Sequence, residues 1–195
     1  MAATTRGRPR SFDRDAALDS AIRLFWTRGY EATSVRDLTE ALGIAAPSLY
    51  NAFGDKQRLF AEAVSVYDRA YGGFIEAALT EEPDARRAVT RLFTEAPERY
   101  TRHGLPTGCL IVSGDAGTDD PRVCEALHDI REQKTALVAA KIRADDPPDS
   151  APAPESLARY VMAVLGGIAQ QARDGVSREQ LDGLAAVAVS MWQTI

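Results

Sequence analysis

Residues 25–59 read FWTRGYEATSVRDLTEALGIAAPSLYNAFGDKQRL, and the fold turns on how that run divides. Gly29 closes a helical stretch that ends at Arg28, because glycine takes the positive φ at a helix end without a Cβ penalty. Thr33 and Ser34 then open a second helix, and Ser34 with Asp37 has the spacing of a capping box. Val35, Leu38 and Leu42 fall on its inner side, and Gly43 stops it. A third, short helix follows after about two residues, with Pro47 in its first turn where a missing N–H costs nothing. It closes at Gly54. Two short helices joined by so tight a turn, behind a packed first helix, make the pattern of a helix-turn-helix.

Upstream, Asp13 is a suitable N-cap for a first helix whose Leu18, Ala21, Ile22 and Phe25 share one face. Residues 1–11, with Arg6, Arg8 and Arg10 among Gly and Pro, are too short and polar to pack and read as a basic arm. Residues 12–56 are thus expected to form the helix-turn-helix domain, and 57–195 a second, larger helical unit. A helix from Asp55 carries Phe60, Ala63, Val64, Tyr67 and Tyr71, a stripe long enough to bridge the two. Glu82-Pro83-Asp84 breaks it, and Pro97 is expected to kink or shorten the helix that follows. A short helix spans Cys109–Asp115. Asp120-Pro121 starts one that runs to about Ala144, and the proline-rich 145–154 reads as an exposed loop. Two helices finish the chain, the last capped by Ser177 and Gln180. The reading is all-α, with about nine helices and no run that alternates long enough for a strand.

Composition narrows the function. The 195 residues have a net charge of −5, which argues superficially against nucleic acid. The distribution corrects that impression. Residues 1–56 hold eight Lys and Arg against seven Asp and Glu, net +1, and the remainder holds fifteen against twenty-one, net −6. No apolar run approaches the roughly 20 residues of a membrane span, and no apolar stretch follows the first arginines, so neither a membrane partner nor a secretory leader is expected. The expected compartment is the cytoplasm, with Cys109 and Cys124 reduced. No cofactor motif is present.

A helix-turn-helix reads DNA with the exposed face of its second helix, which must be small or polar. Ala46, Pro47, Ser48, Tyr50 and Asn51 can face outward while Leu49 and Phe53 hold the helix down. Asn51 can pair with an adenine edge, and Ala46 and Pro47 can touch a thymine methyl. Thr33, Ser34, Tyr50 and Lys56 are placed for phosphate. The run Phe25-x3-Gly29-Tyr30-x2-Thr33-Ser34-x3-Leu38-x3-Leu42-Gly43-Ile44-x2-Pro47-Ser48-Leu49-Tyr50-x2-Phe53-x2-Lys56-x2-Leu59 resembles the N-terminal domain of TetR-family repressors at nearly every framework position. The resemblance covers Phe12 to about Val64 closely and the remainder through helix order. It implies base-side contacts at Ala46, Pro47, Ser48, Tyr50 and Asn51, and backbone contacts at Thr33, Ser34, Tyr50 and Lys56. Val35 and Ala46 stand where some relatives carry long polar base readers, which shifts weight to Asn51, the arm with Arg6 and Arg8, and DNA shape.

The implied function is an operator-binding transcriptional repressor, released from double-stranded DNA by an unidentified small-molecule effector. One reading head offers too little contact for tight binding, so a symmetric homodimer is expected. Val161, Val164, Leu165 and Ile168 with Leu184, Ala188, Met191 and Trp192 can form its four-helix interface, although the same faces equally suit the chain's own core. Gly166-Gly167, costly in mid-helix, suggests close helix approach. The resemblance further implies an effector cavity, for which Phe74, Phe93, Tyr100, Ile130 and Tyr160 are candidate walls. Cys109 follows Gly108 at a helix start, where the dipole is expected to lower its pKa and favour thiol chemistry with electrophiles or oxidants. Cys124 and His128, four apart, offer two metal ligands, so a metal-responsive repressor is a further alternative. A remote one is an enzyme built on Cys109 with His103 or His128, but no catalytic motif accompanies them.

Overall fold

Helix α1 (Arg14–Arg28) starts where the Asp13 carboxylate accepts hydrogen bonds from the backbone of Asp15 and Ala16, both at 3.1 Å. Helix α2 (Val35–Leu42) opens with the expected capping box: Asp37 N–H donates to Ser34 Oγ, and Ser34 N–H donates to the Asp37 carboxylate. Gly43 ends it in the left-handed region at φ 65°, which lets α3 (Ala46–Phe53) start three residues later. Helix α4 (Lys56–Tyr67) follows at once, capped by Asp55. The computed structural model describes residues 13–146, 148 and 151–194, and these contain ten α-helices, one π-helical turn and no strand. Arg6, Arg8 and part of the expected 145–154 loop lie outside the described residues.

Beyond α4 the expected single helix does not hold. The chain widens into a π-helical turn (Asp68–Gly72) before α5 (Phe74–Glu81). The Gly72-Gly73 pair has the lowest preference for continuing an α-helix short of proline. A Cβ at Gly72 would stand 2.6 Å from Asp68 Oδ1, so the missing side chain gives that carboxylate its room. Helix α6 (Ala85–Tyr100) runs through Pro97 rather than ending there. The proline forfeits one backbone bond, offset by the burial of Phe93, Ala96, Pro97 and Tyr100 in the core. The short expected helix shrinks to α7 (Leu110–Ser113), with Cys109 at its N-cap. Helices α8 (Pro121–Ala144), α9 (Pro154–Arg173) and α10 (Arg178–Trp192) fall where the sequence places them.

Two apolar cores result. One joins Phe25, Leu38, Leu49 and Phe60 of α1–α4 to Leu110, Val123 and Leu127 of α7 and α8. Phe25 and Phe60 meet edge to face at 5.0 Å, a geometry worth about 0.5–1.5 kcal/mol beyond area burial. The other packs α6 among α5, α9 and α10 around Phe93, Val161, Leu165, Ile168 and Trp192. Cys109 touches both.

Candidate nucleic-acid interface and effector cavity

The outer face of α3 is set by its inner one. Leu49 is fully buried and Phe53 nearly so, which turns Pro47, Ser48, Tyr50 and Asn51 outward. Tyr50 is 48% exposed, large for an aromatic ring. Ala46 and Val35 are half-buried, and Ser34 is exposed at the start of α2. Lys56 opens α4 with its ammonium 3.9 Å from the centre of the Tyr30 ring. Partial burial lowers its pKa, against the pull of Glu31, Asp120 and Asp37. It remains a cation at the edge of the α3 surface, suited to a phosphate. Thr33 corrects the expectation: it is fully buried and its hydroxyl donates to Gly29 O at 2.7 Å, so it braces the α1–α2 turn and cannot meet phosphate.

Between the cores lies a cavity of about 330 Å³, within the range of small-molecule sites. Its wall is mainly apolar and aromatic: Tyr67 and Tyr71 from α4 and the π-turn, Phe74 and Ile75 from α5, Tyr100 from α6, Cys109 and Val112 from the α7 segment, Met162 and Leu165 from α9. Of the expected wall residues, Phe74, Tyr100 and Cys109 are there. Phe93, Ile130 and Tyr160 are not among its lining. Phe93 is fully buried and meets Tyr160 edge to face inside the α6–α9 core, and Ile130 packs on the core beneath the reading head.

The polar part of the wall was absent from the sequence expectations. Lys134 of α8 is 4% exposed, lies 2.8 Å from Asp68 Oδ1 of the π-turn and also bonds Glu76 of α5. Burial opposes its charge, but the two carboxylates outweigh that and hold its pKa above the ordinary lysine value. A signal existed: Leu127, Lys134, Val138 and Ile142 share one inward face of α8, and a lysine in an apolar stripe needs a buried partner. Nearby, Arg131 bonds Ile111 O and Asp115, both at 2.7 Å.

Cys109 departs from expectation in its chemistry. Burial pushes its thiol pKa up, only partly opposed by the Tyr67 hydroxyl and the backbone N–H groups of Val112 and Ile111. A helix of one turn has little dipole to offer against desolvation. Burial likewise raises Tyr67 and Tyr100 well above the usual tyrosine value, so both hydroxyls stay protonated at neutral pH. Cys109 is paired with Tyr67 rather than with a histidine. Cys124 Sγ faces Thr118 O at 3.6 Å, His128 is exposed, and among the described residues no three His, Cys, Asp or Glu converge on a metal site.

The expected dimer residues divide. Val161, Leu165, Ile168, Ala188 and Trp192 are buried in the chain's own core, because α9 and α10 pack on α6 with these faces, and no partner could reach them. Val164 and Leu184 are half-buried, and Met191 is 56% exposed. The outward face is instead Ala163 and Gly167 of α9 with Gly183, Ala186, Val187 and Met191 of α10. Val187 is 63% exposed, and a Cβ at Gly166, Gly167 or Gly183 would meet nothing within 4 Å.

Comparison with known proteins agrees with this architecture. Residues 17–63 match the family described as bacterial regulatory proteins, tetR family. The HTH-type transcriptional repressor ComR of Escherichia coli is 34% identical, over 96% of this chain and 92% of that protein. The HTH-type transcriptional repressor BdcR of the same organism is 29% identical, over 97% and 93%. Among solved structures, the TetR family transcriptional regulator CifR, as a cysteine mutant complexed with a 26-base-pair double-strand operator DNA, superposes with a TM-score of 0.86. It is 40% identical, over 95% of this chain and all of that one.

Proposed function

This chain belongs to the TetR family of transcriptional regulators, and from that membership we propose a homodimeric repressor that grips operator DNA with α3 and is released when a small molecule fills the central cavity. The observation that carries the proposal is a ring contact. Trp26 of α1, in the reading head, lies 4.7 Å from the Tyr67 ring and 5.2 Å from that of Tyr71, and both tyrosines line the cavity. A ligand that displaces either ring therefore moves a group held by the head, with no intermediary. Helix α4 adds a second path, since it starts at Lys56 beside the DNA face and ends at Tyr67 on the cavity wall. A ligand acts only by its differential affinity for the two head positions, and about 1–3 kcal/mol of coupling weakens operator binding 5- to 150-fold.

The outward face of α9 and α10 supports the dimer. Among the described residues nothing lies within 4 Å of a Cβ built at Gly167 or Gly183, and a partner helix approaching closely would give small residues there a reason. Asn51, Tyr50, Ser48 and Pro47 are assigned to the groove, with Ser34 and Lys56 on phosphate. The test is binding of purified protein to the DNA flanking its own gene, against an unrelated duplex, at two salt concentrations. Specific binding with steep salt dependence supports the reading. Equal weak binding to both duplexes sinks it.

A second reading rests on Cys109, whose thiol faces the cavity beside the Tyr67 hydroxyl. A Michael acceptor entering the cavity would add to that sulfur, the new S–C bond replacing the electrophile's double bond and the thiol proton ending on its adjacent carbon, and the adduct would wedge the wall open. A full electrophile response in Cys109→Ser rejects this reading and leaves the noncovalent one.

A further inference from the structure

Arg173, the last residue of α9, ties that helix to the reading head. One guanidinium nitrogen lies 3.0 Å from Trp26 O and 3.1 Å from Ser113 Oγ, and the other lies 3.0 Å from Thr27 O. These carbonyls belong to the last turn of α1, where oxygens lack intrahelical donors and the helix dipole favours a cation. A planar fork on two successive carbonyls and a hydroxyl fixes direction as well as distance, which a lysine cannot do.

The surroundings are built for the approach. Gly108 holds φ at 81°, and a Cβ there would stand 2.9 Å from Ala169 O and 3.1 Å from Arg173 Cβ. Its carbonyl accepts from Trp26 Nε1 at 3.2 Å, and its N–H donates to Tyr100 O at 2.8 Å. Helices α1, α6 and α9 thus meet at one backbone point. Helix α9 also contributes Met162 and Leu165 to the cavity and Ala163 and Gly167 to the outward face. One rigid helix touches the ligand site, the proposed partner and, through Arg173, the head.

We propose that Arg173 is a positioning residue that sets the angle of each reading head against the dimer helix, and thereby the half-site spacing that the protein accepts. The inference rests on the repressor reading above. A dimer that cannot pivot its heads must reject an operator whose half-sites are one base pair closer or farther apart, because each base pair shifts a half-site by about 3.4 Å along the axis.

The experiment recovers an operator by selecting duplexes from a random pool with the wild-type protein, then measures Kd for it and for versions with one base pair inserted or removed at the centre. Wild type is expected to discriminate against both respaced duplexes. In Arg173→Gln the ratio of respaced to native Kd should fall about fivefold or more, with Arg173→Lys between the two. Size-exclusion and melting controls establish that each variant is dimeric and folded, and Ser113→Ala, which removes one acceptor, carries the same comparison if Arg173→Gln does not fold. Affinity lowered by one common factor at every spacing, an unchanged ratio, or a wild type indifferent to spacing overturns the proposal. A wild-type protein that selects no duplex overturns the repressor reading itself.

Discussion

The face of α3 and the wall of the cavity are the two surfaces proposed to bind other molecules, and they are assembled in opposite ways. The local signals that shape the first lie between Asp13 and Leu59: caps at Asp13 and Ser34, a left-handed Gly43, inward Leu49 and Phe53, outward Tyr50 and Asn51. The second draws on α4, the π-turn, α5, α6, the α7 segment, α8 and α9, with lining residues from Tyr67 to Gly166. The outward residues of α3 are exposed, as a surface proposed to meet another molecule must be. The cavity wall is mainly apolar, and its lysine is paired inside the chain, with Lys134 held between Asp68 and Glu76. Changes on the first should therefore cost affinity and leave stability alone, and changes on the second should cost stability as well.

The largest expected effect lies on neither surface. Charging the outward face with Val187→Glu and Met191→Glu should convert the proposed dimer to a folded monomer and lower operator affinity about a hundredfold or more, since two linked half-sites bind far better than one. Sedimentation and DNA binding measured together check it, and a charged variant that still dimerises places the interface elsewhere. Next, Asn51→Ala and Tyr50→Ala should each weaken operator binding by roughly 1–3 kcal/mol with melting temperature unchanged. Loss of stability in either would erase the contrast between the two surfaces.

Lys134→Ala tests the other side. It strands two carboxylates and should destabilise the fold by about 2–3 kcal/mol, less than for a fully buried pair because Glu76 keeps some solvent. Denaturant unfolding measures this, and an unchanged midpoint would mean that the ion pair contributes nothing to the wall. Cys109 gives a kinetic check. Because burial holds its thiol protonated at neutral pH, alkylation in a Cys124→Ser background should be slow at pH 7 and still rising past the ordinary cysteine pKa. A rate already level at pH 7 would restore the dipole-activated thiol that the sequence suggests.

The smallest effect belongs to the α2 capping box. The Ser34 hydroxyl, with Ser34 N–H and Arg28, holds the Asp37 carboxyl below its usual pKa. Its folded value is the lower one, so its contribution is fully present above about pH 4 and fades as pH falls through the folded value. Asp37→Asn, which keeps the cap, should show a slightly shallower loss of melting temperature between pH 6 and pH 3.

How much was legible follows the same contrast. The head could be read almost residue by residue, since caps, turns and inward apolar positions act within a few residues of one another. Thr33 is the exception: nothing in its neighbours tells whether its hydroxyl meets phosphate or Gly29 O. Of the residues expected at a dimer interface, Met191 faces outward and Val161, Leu165 and Ile168 do not, because these three are as apolar as an interface and only packing on α6 shows which side is taken. Lys134 was visible as an oddity in a stripe, and its partners Asp68 and Glu76 lie 66 and 58 positions earlier.

By itself the sequence determined most helix starts and stops, the helix-turn-helix and the all-α class, because hydrogen-bonded caps, glycine at positive φ and a helical apolar period are local and carry their own signal. The tertiary structure decided the cavity, the π-turn, the outward face of α9 and α10, and the reach of Arg173 to Trp26 and Thr27 nearly 150 positions away. Those depend on which helix packs against which, and a residue's type and near neighbours hold no record of that.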